Sequence, residues 1–179
     1  KPDAIASLHR AYLEAGCDII ETNTFGATPL VLGEYGIQDQ AHEINRAAAA
    51  LARQLAEHYS TPAQPRFVAG SMGPTTKSIS VTGGITFQEL IENFHAQARG
   101  LIAGGVDAVA IISPPYFHPE QTVAALEAGK HVYLAKPIAV DVPGGNTIVD
   151  AANKHAATLC TWVDFQTRQH PFYINAIQR

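Results

Sequence analysis

Short apolar runs that alternate with helical patterns constrain the fold of this 179-residue chain more than any other feature. Five runs are typical of buried strands, and they span residues 17–20, 66–71, 106–112, 131–134 and 159–163. Segments with helical spacing separate them. Consecutive strands that are joined through helices favour right-handed crossovers and a mainly parallel sheet. We therefore predict the α/β class.

Helix signals fill the intervals between these strands. The strongest is the pair Thr86 and Glu89, which fits a capping box at the start of a helix over residues 87–103. Further helices are predicted over residues 4–15, about 38–59, 119–129 and about 146–156, with a last one near Pro171. Because five strands are too few to close an eight-stranded barrel, we expect an open, mainly parallel sheet with one poorly covered edge. Such an edge favours self-association.

The charge pattern excludes several classes of partner. The net charge is -4, and the 12 Lys and Arg residues are scattered rather than gathered in a stripe. Neither a nucleic acid nor an anionic membrane is therefore an expected partner. No apolar run reaches the roughly 18 residues that a membrane-spanning helix requires. We expect a cytoplasmic protein.

The chain has two cysteines, Cys17 and Cys160, far apart in the sequence. No CxxC pair is present, so we interpret both as reduced core residues rather than as a disulfide or a metal site.

Polar residues follow the first two strands. In parallel α/β folds the site lies at the carboxyl ends of the strands, which directs attention to Glu21, Thr22, Asn23 and the segment 71–75. A carboxylate beside an amide can hold an amino-acid head group. The alternative is a strand end whose polar groups are satisfied by neighbouring backbone.

Three motifs in the first part carry a family resemblance: AGCDIIETNTFGAT, HEINRAAAALAR and VAGSMGPTTKSISVTGGITFQELIENFHAQARGLIAGGVDA. Residues 1 to about 108 resemble the homocysteine-binding domain of cobalamin-dependent methionine synthase and of homocysteine S-methyltransferases. The resemblance implies a (β/α)8 barrel and methyl transfer to a homocysteine thiolate on a zinc ion held by three cysteines. It also implies that the substrate, homocysteine, is bound by Glu21, Thr22, Asn23, Gly70, Ser71, Gly73, Pro74 and Thr75. With two cysteines in the chain, we predict no metal site and no bound zinc or cobalamin.

The last part resembles a different family. The segments DAVAIISPPYFHPEQTVAALEAGKHVYLAKPIAVDVPG and VDFQTRQHPFYINAI are similar to the Gfo/Idh/MocA oxidoreductases, which bind NAD or NADP on a Rossmann domain. The resemblance implies that Lys136 is catalytic and that the cofactor is contacted by Pro114, Pro115, His118, Lys136 and Pro137. It places Arg168 and Pro171 at the join to a second domain. Considered alone, Lys136 is typical of a surface lysine and His118 of a polar residue at a helix N-terminus.

The glycine-rich turn that a dinucleotide requires, G-x-G-x-x-G, does not occur in the sequence. We therefore expect no bound NAD(P), and we predict a chimera of residues 1–108, a partial barrel, and residues 109–179, a partial Rossmann-like segment, which can pack as one unit. Three hypotheses stay open. In the first, the chain is a methyltransferase-like segment fused to an oxidoreductase segment, without the full activity of either. In the second, it is an NAD(P)-dependent oxidoreductase. In the third, it is a non-catalytic chimeric or truncated chain.

Overall fold

A computed structural model of the chain describes residues 1–77 and 84–165. This part contains five strands, which are β1 (Ile19–Glu21), β2 (Phe67–Met72), β3 (Ala108–Ile111), β4 (His131–Leu134) and β5 (Thr161–Val163). The helices are α1 (Pro2–Glu14), α2 (Pro29–Gly33), α3 (Ala41–Tyr59), α4 (Phe87–Ala103), α5 (His118–Glu127) and α6 (Val142–His155). Short 3-10 helices cover Gln38–Gln40 and Pro115–Phe117.

The five strands form one parallel sheet in the order β1-β2-β3-β4-β5. Each strand therefore pairs with the next one in the chain, and the order has no reversal. A doubly wound sheet reverses its order at a switch point, whereas sequential order throughout is the arrangement of a (β/α) barrel. The predicted α/β class and open parallel sheet are confirmed.

The two faces of the sheet differ in what covers them. Side chains on one face, such as Ile20, Val68 and Leu134, are at most 3% exposed and pack in the core with the helices. On the opposite face, Ile19, Tyr133 and Trp162 are between 38% and 59% exposed. We call this second surface, which also carries Glu21, Phe67, Ala69, Ser71, Ala108, Ala110 and His131, the open face. In the described part of the chain the helices thus pack on one face of the sheet, as in a barrel segment, whose other face would line the barrel interior.

Helices α3 and α4 pack unusually closely because glycines lie at their contact. A side-chain carbon on Gly100 would come within 2.5 Å of the His42 carbonyl oxygen, and one on Gly104 within 2.4 Å of the Ala49 Cβ. Neither position can accept a larger residue without moving a helix. The close approach also requires small side chains on α3, and its alanine-rich sequence provides them. Ala49, for example, is fully buried at the contact.

Some element boundaries differ from those predicted. Helix α6 begins at Val142 rather than near residue 146, because Asp141 caps it by accepting the Gly144 N–H at 2.8 Å. Helix α2 was not predicted, and Thr28 caps it through its hydroxyl. The helix predicted near Pro171 lies outside the described residues.

The cysteine prediction needs one correction. Both thiols are free, as expected, but Cys160 is exposed and Cys17 half-buried, so the description of both as core residues was wrong. Cys160 directly precedes β5, the last strand in the order of the sheet.

None of the described helices combines the length and the apolarity that crossing a membrane demands. Within residues 1–77 and 84–165, β1 and β5 are the edge strands of the sheet. Together with the exposed side chains of the open face, they are the reason that self-association stays a prediction.

Candidate functional site

A cleft of about 650 Å³ opens at the carboxyl ends of β1 and β2. It brings together four of the predicted substrate-binding residues, Glu21, Thr22, Asn23 and Ser71. Apolar side chains complete its walls, including Leu8 and Tyr12 from α1, Ile19 from β1, Phe25, and Ile112 after β3. The two strand ends meet because β1 and β2 pair in register, with Glu21 opposite Ala69.

Residues 22–28, here named the motif loop, connect β1 to α2. Their side chains alternate in the first part of the loop: Thr22 and Thr24 are buried, whereas Asn23 and Phe25 are exposed. The alternation continues the period of the preceding strand. It directs the two threonines into the protein and presents Asn23 and Phe25 at the cleft.

The buried threonines tie the motif loop to β2. The Thr24 hydroxyl donates to the Ser71 carbonyl at 2.8 Å, and the Ser71 N–H donates to the Thr22 Oγ1 at 2.9 Å. The two hydroxyls lie 2.6 Å apart, and since the Thr24 proton is already used, Thr22 donates to Thr24. The Thr22 hydroxyl proton is therefore already used within the protein, and its oxygen accepts one hydrogen bond from the backbone.

Gly73 lets the segment after β2 approach the same loop. Its N–H donates to the Phe25 carbonyl at 3.0 Å, and a Cβ at this position would lie 2.6 Å from the Phe25 ring. A larger residue at this position would require the half-exposed Phe25 ring to move. Pro74 and Thr75 follow outside the cleft, and the Thr75 hydroxyl donates to the Lys77 carbonyl.

Gly70 lies away from the cleft, on the helix-covered face of β2. A Cβ on Gly70 would come within 3.0 Å of Leu101 and 3.3 Å of Val106. The glycine serves the close packing of α4 on the sheet.

Two carboxylates act on Tyr133 on the open face. The pKa of Tyr133 is raised, first by burial and then by the carboxylate of Asp164, which also accepts its hydrogen bond, and by Glu21.

His9 on α1 also lines the cleft and was missed by sequence reasoning. It is 4% exposed, and its Nε2 has no hydrogen-bond partner within the described part of the chain. Burial lowers its pKa, so the neutral ring is favoured. The signal available in the sequence was its position between Leu8 and Tyr12 on the helix that precedes β1.

The residues predicted to contact a dinucleotide lie at the ends of β3 and β4. Pro114 and Pro115 follow β3, and the cis peptide Lys136-Pro137 follows β4. Lys136 is exposed. His118 is buried at the first position of α5, with its Nε2 2.8 Å from the Ser113 carbonyl oxygen and its Nδ1 3.2 Å from that of Ile138. The structure thus gives His118 two backbone contacts and places it outside the cleft.

The cysteines do not fit a zinc site of three thiolates. Cys17 precedes β1 and Cys160 precedes β5, which are the opposite edges of the sheet, and the sequence holds no third cysteine. Within residues 1–77 and 84–165, no group of three or more His, Cys, Asp and Glu side chains is arranged to hold a metal ion.

Comparison with known proteins gives one family match. The family model described as homocysteine S-methyltransferase matches residues 1–167. This match runs past residue 108, so a change of family at that point is not confirmed.

Two solved structures share the fold. The homocysteine methyltransferase MmuM from Escherichia coli, in its oxidized form, aligns with a TM-score of 0.68 and 18% identity, covering 91% of this chain and 62% of MmuM. Its metallated form gives the same TM-score and identity, with 63% of MmuM covered. The chain thus spans less than two thirds of the length of MmuM, and the likeness concerns the fold alone. An apo scyllo-inositol dehydrogenase from Lactobacillus casei reaches a TM-score of 0.42 at 26% identity, over 72% of this chain and 37% of that one, which is too low to indicate a shared fold.

Proposed function

Because the chain belongs to the homocysteine S-methyltransferase family, we propose that the cleft at the ends of β1 and β2 binds homocysteine. One observation carries the proposal: Glu21, Asn23 and Ser71 line a single cleft within the matched residues, although Ser71 is distant from the other two in the sequence.

The cleft has the chemistry that an amino acid with a short apolar side chain requires. The exposed carboxylate of Glu21 can accept hydrogen bonds from an ammonium group, and the amide of Asn23 can donate to a carboxylate. Ile19, Phe25 and Ile112 supply an apolar wall for the methylene groups and the sulfur. Pockets of this kind, mostly apolar with a few convergent polar groups, are typical of small-molecule sites.

The proposed activity of this chain by itself is binding, without methyl transfer. Zinc activation of a thiol needs direct coordination of the metal, and the two cysteines of the chain do not fit the three-thiolate set. No step of the proposal passes through a metal.

Isothermal titration with L-homocysteine tests the proposal. The wild-type protein should bind, and Glu21→Gln should weaken binding by at least about tenfold, because a charge-assisted hydrogen bond becomes a neutral one. Glu127→Gln is the matched control, since this carboxylate is exposed on α5 in a 3.7 Å ion pair with Lys154. Equal affinity in both variants, or no heat of binding in the wild type, would refute the assignment.

A second candidate concerns residues 109–179 as a segment of oxidoreductase origin, with Lys136 at a hydride-transfer site. The observation that favours it is that Ile111 and Leu134 are paired, so the segments after β3 and β4, with their prolines and Lys136, leave the sheet side by side. The sequential strand order supports the first candidate over the whole sheet, although three consecutive neighbouring strands also occur in one half of a dinucleotide fold.

An NADPH fluorescence titration separates the two candidates. A saturable enhancement that Lys136→Ala abolishes would favour the second. A chain that binds neither ligand would match the non-catalytic hypothesis.

A further inference from the structure

Three buried amides on α3 and α4 contact the segment that carries the motif loop. The Asn45 Nδ2 donates to the Ala27 carbonyl at 2.7 Å, and the Gln97 Nε2 donates to the Thr24 carbonyl at 2.6 Å. The Asn93 Oδ1 accepts the Leu30 N–H at 2.7 Å, in the first turn of α2 directly after the loop. The loop is thus held at its beginning, its end and the turn that follows.

These amides are buried in positions where an apolar side chain would otherwise be expected. Asn45 and Gln97 are fully buried and Asn93 is 6% exposed. Each contributes one polar atom without a partner in the described residues: the Asn45 Oδ1, the Asn93 Nδ2 and the Gln97 Oε1. Burying an unpaired polar atom is unfavourable. The hydrogen bonds that these side chains make with the loop segment offset part of this unfavourable free energy.

Gln97 connects the loop to the neighbouring strand as well. Its Nε2 also lies 3.4 Å from the Ser71 carbonyl oxygen, which accepts the Thr24 hydroxyl. The peptide that Gln97 holds is flanked by Asn23 and Phe25, the two loop residues that face the cleft. A fixed Thr24 carbonyl therefore restricts the orientation of the peptide that joins Thr24 to Phe25.

We infer that Asn45, Asn93 and Gln97 are positioning residues that preorganise the motif loop for ligand binding. The inference rests on the proposed homocysteine site. The amides do not line the homocysteine cleft, and they act by removing conformational freedom from Asn23 and Phe25 before the ligand arrives. Preorganisation of this kind raises affinity because less ordering entropy is lost on binding.

Two matched pairs of variants separate positioning from simple stabilisation. Gln97→Met removes the donor at similar volume, and Leu101→Ala on the same helix lowers stability without removing a hydrogen bond to the loop. Asn93→Leu removes the acceptor for the Leu30 N–H, whereas Asn93→Asp keeps that acceptor but adds a buried carboxylate, so it lowers stability without removing the contact with the loop. Each variant is measured by hydrogen exchange of the peptide covering residues 23–30 without ligand, and by titration with L-homocysteine.

We expect faster exchange in residues 23–30 and an affinity loss of about fivefold or more for Gln97→Met and Asn93→Leu. Leu101→Ala and Asn93→Asp should keep wild-type loop exchange and affinity. Unchanged exchange in Gln97→Met and Asn93→Leu, or faster exchange with unchanged affinity, would overturn the inference. If the wild type does not bind homocysteine although loop exchange responds as expected, the proposed function fails and the amides remain positioning residues of the loop only.

Discussion

Arg53 on α3 donates from its Nη1 to the Oδ2 of Asp107 at 2.5 Å, and the same oxygen accepts the Val68 N–H at 2.8 Å. Arg53 also donates to the Arg66 carbonyl at 3.4 Å. The contact joins α3, β2 and the residue before β3, and it lies where the sequence predicted a boundary between two segments. Both side chains are largely shielded, with 23% and 27% exposed.

Asp107→Asn should therefore lower the free energy of unfolding by about 2 kcal/mol, because a shielded charge-assisted contact is lost. Urea unfolding followed by far-UV circular dichroism and by Trp162 fluorescence measures the change, and the two probes should give coincident transitions. Glu43→Gln breaks the exposed pair with Arg46 and should leave the midpoint unchanged. Equal effects of the two substitutions would contradict the role assigned to Asp107, and probe-dependent transitions would indicate two separately folding segments.

The burial of His9 predicts a pH dependence of stability. Its pKa is lowered in the folded state, so the unfolded state binds this proton more readily. The free energy of unfolding should decrease as the pH falls below about 6.5, the ordinary value for histidine, and the loss should continue down to the folded-state pKa. His9→Gln should remove this component from the profile, and His42→Gln, at an exposed position on α3, should retain it. A His9→Gln profile parallel to that of the wild type would disprove the assignment.

A small cavity of about 60 Å³ lies between α4 and α5, lined mainly by apolar side chains that include Met72, Ala98, Val109 and Phe117. Ala98→Leu should fill it and raise the free energy of unfolding by about 1 kcal/mol, less than the full transfer value because the neighbours must adjust. Ala47→Leu, on the exposed side of α3, is the control and should give no such gain. Destabilisation by Ala98→Leu would show that the space is not available in solution.

The open face predicts self-association. A parallel sheet is normally covered on both faces, and here Tyr133 and Trp162 pair across β4 and β5 while both stay exposed. Sedimentation velocity should show concentration-dependent association of the wild type, reduced in Trp162→Lys. The control Tyr35→Lys replaces an aromatic residue that is 75% exposed and lies outside the sheet, and it should associate like the wild type. A wild type that remains monomeric at all concentrations would refute the prediction.

The strands and the long helices were predictable because each carries a local signal. The Thr86 and Glu89 capping box is present as expected, and α4 begins at the following residue. Glu21, Asn23 and Ser71 could be placed together because the carboxyl ends of neighbouring parallel strands lie at one edge.

The buried amides were not predictable by the same reasoning. Asn93 and Gln97 lie in the register of the buried residues Leu90, Phe94 and Leu101, but polar residues on an amphipathic helix are ordinarily assigned to the surface. Their partners are 63 and 73 residues away, so only the tertiary structure reveals the contacts. A repeated amide at helical spacing inside an apolar stripe was the available signal.

The most direct test of the proposed site is a chemical-shift map of the uniformly ¹⁵N-labelled protein titrated with L-homocysteine. The account predicts saturable shifts that are concentrated at residues 21–25 and 71–73, with little change at residues 114–118 and 136–138. Shifts centred on those second segments, or no saturable shifts at all, would contradict a homocysteine site at the ends of β1 and β2.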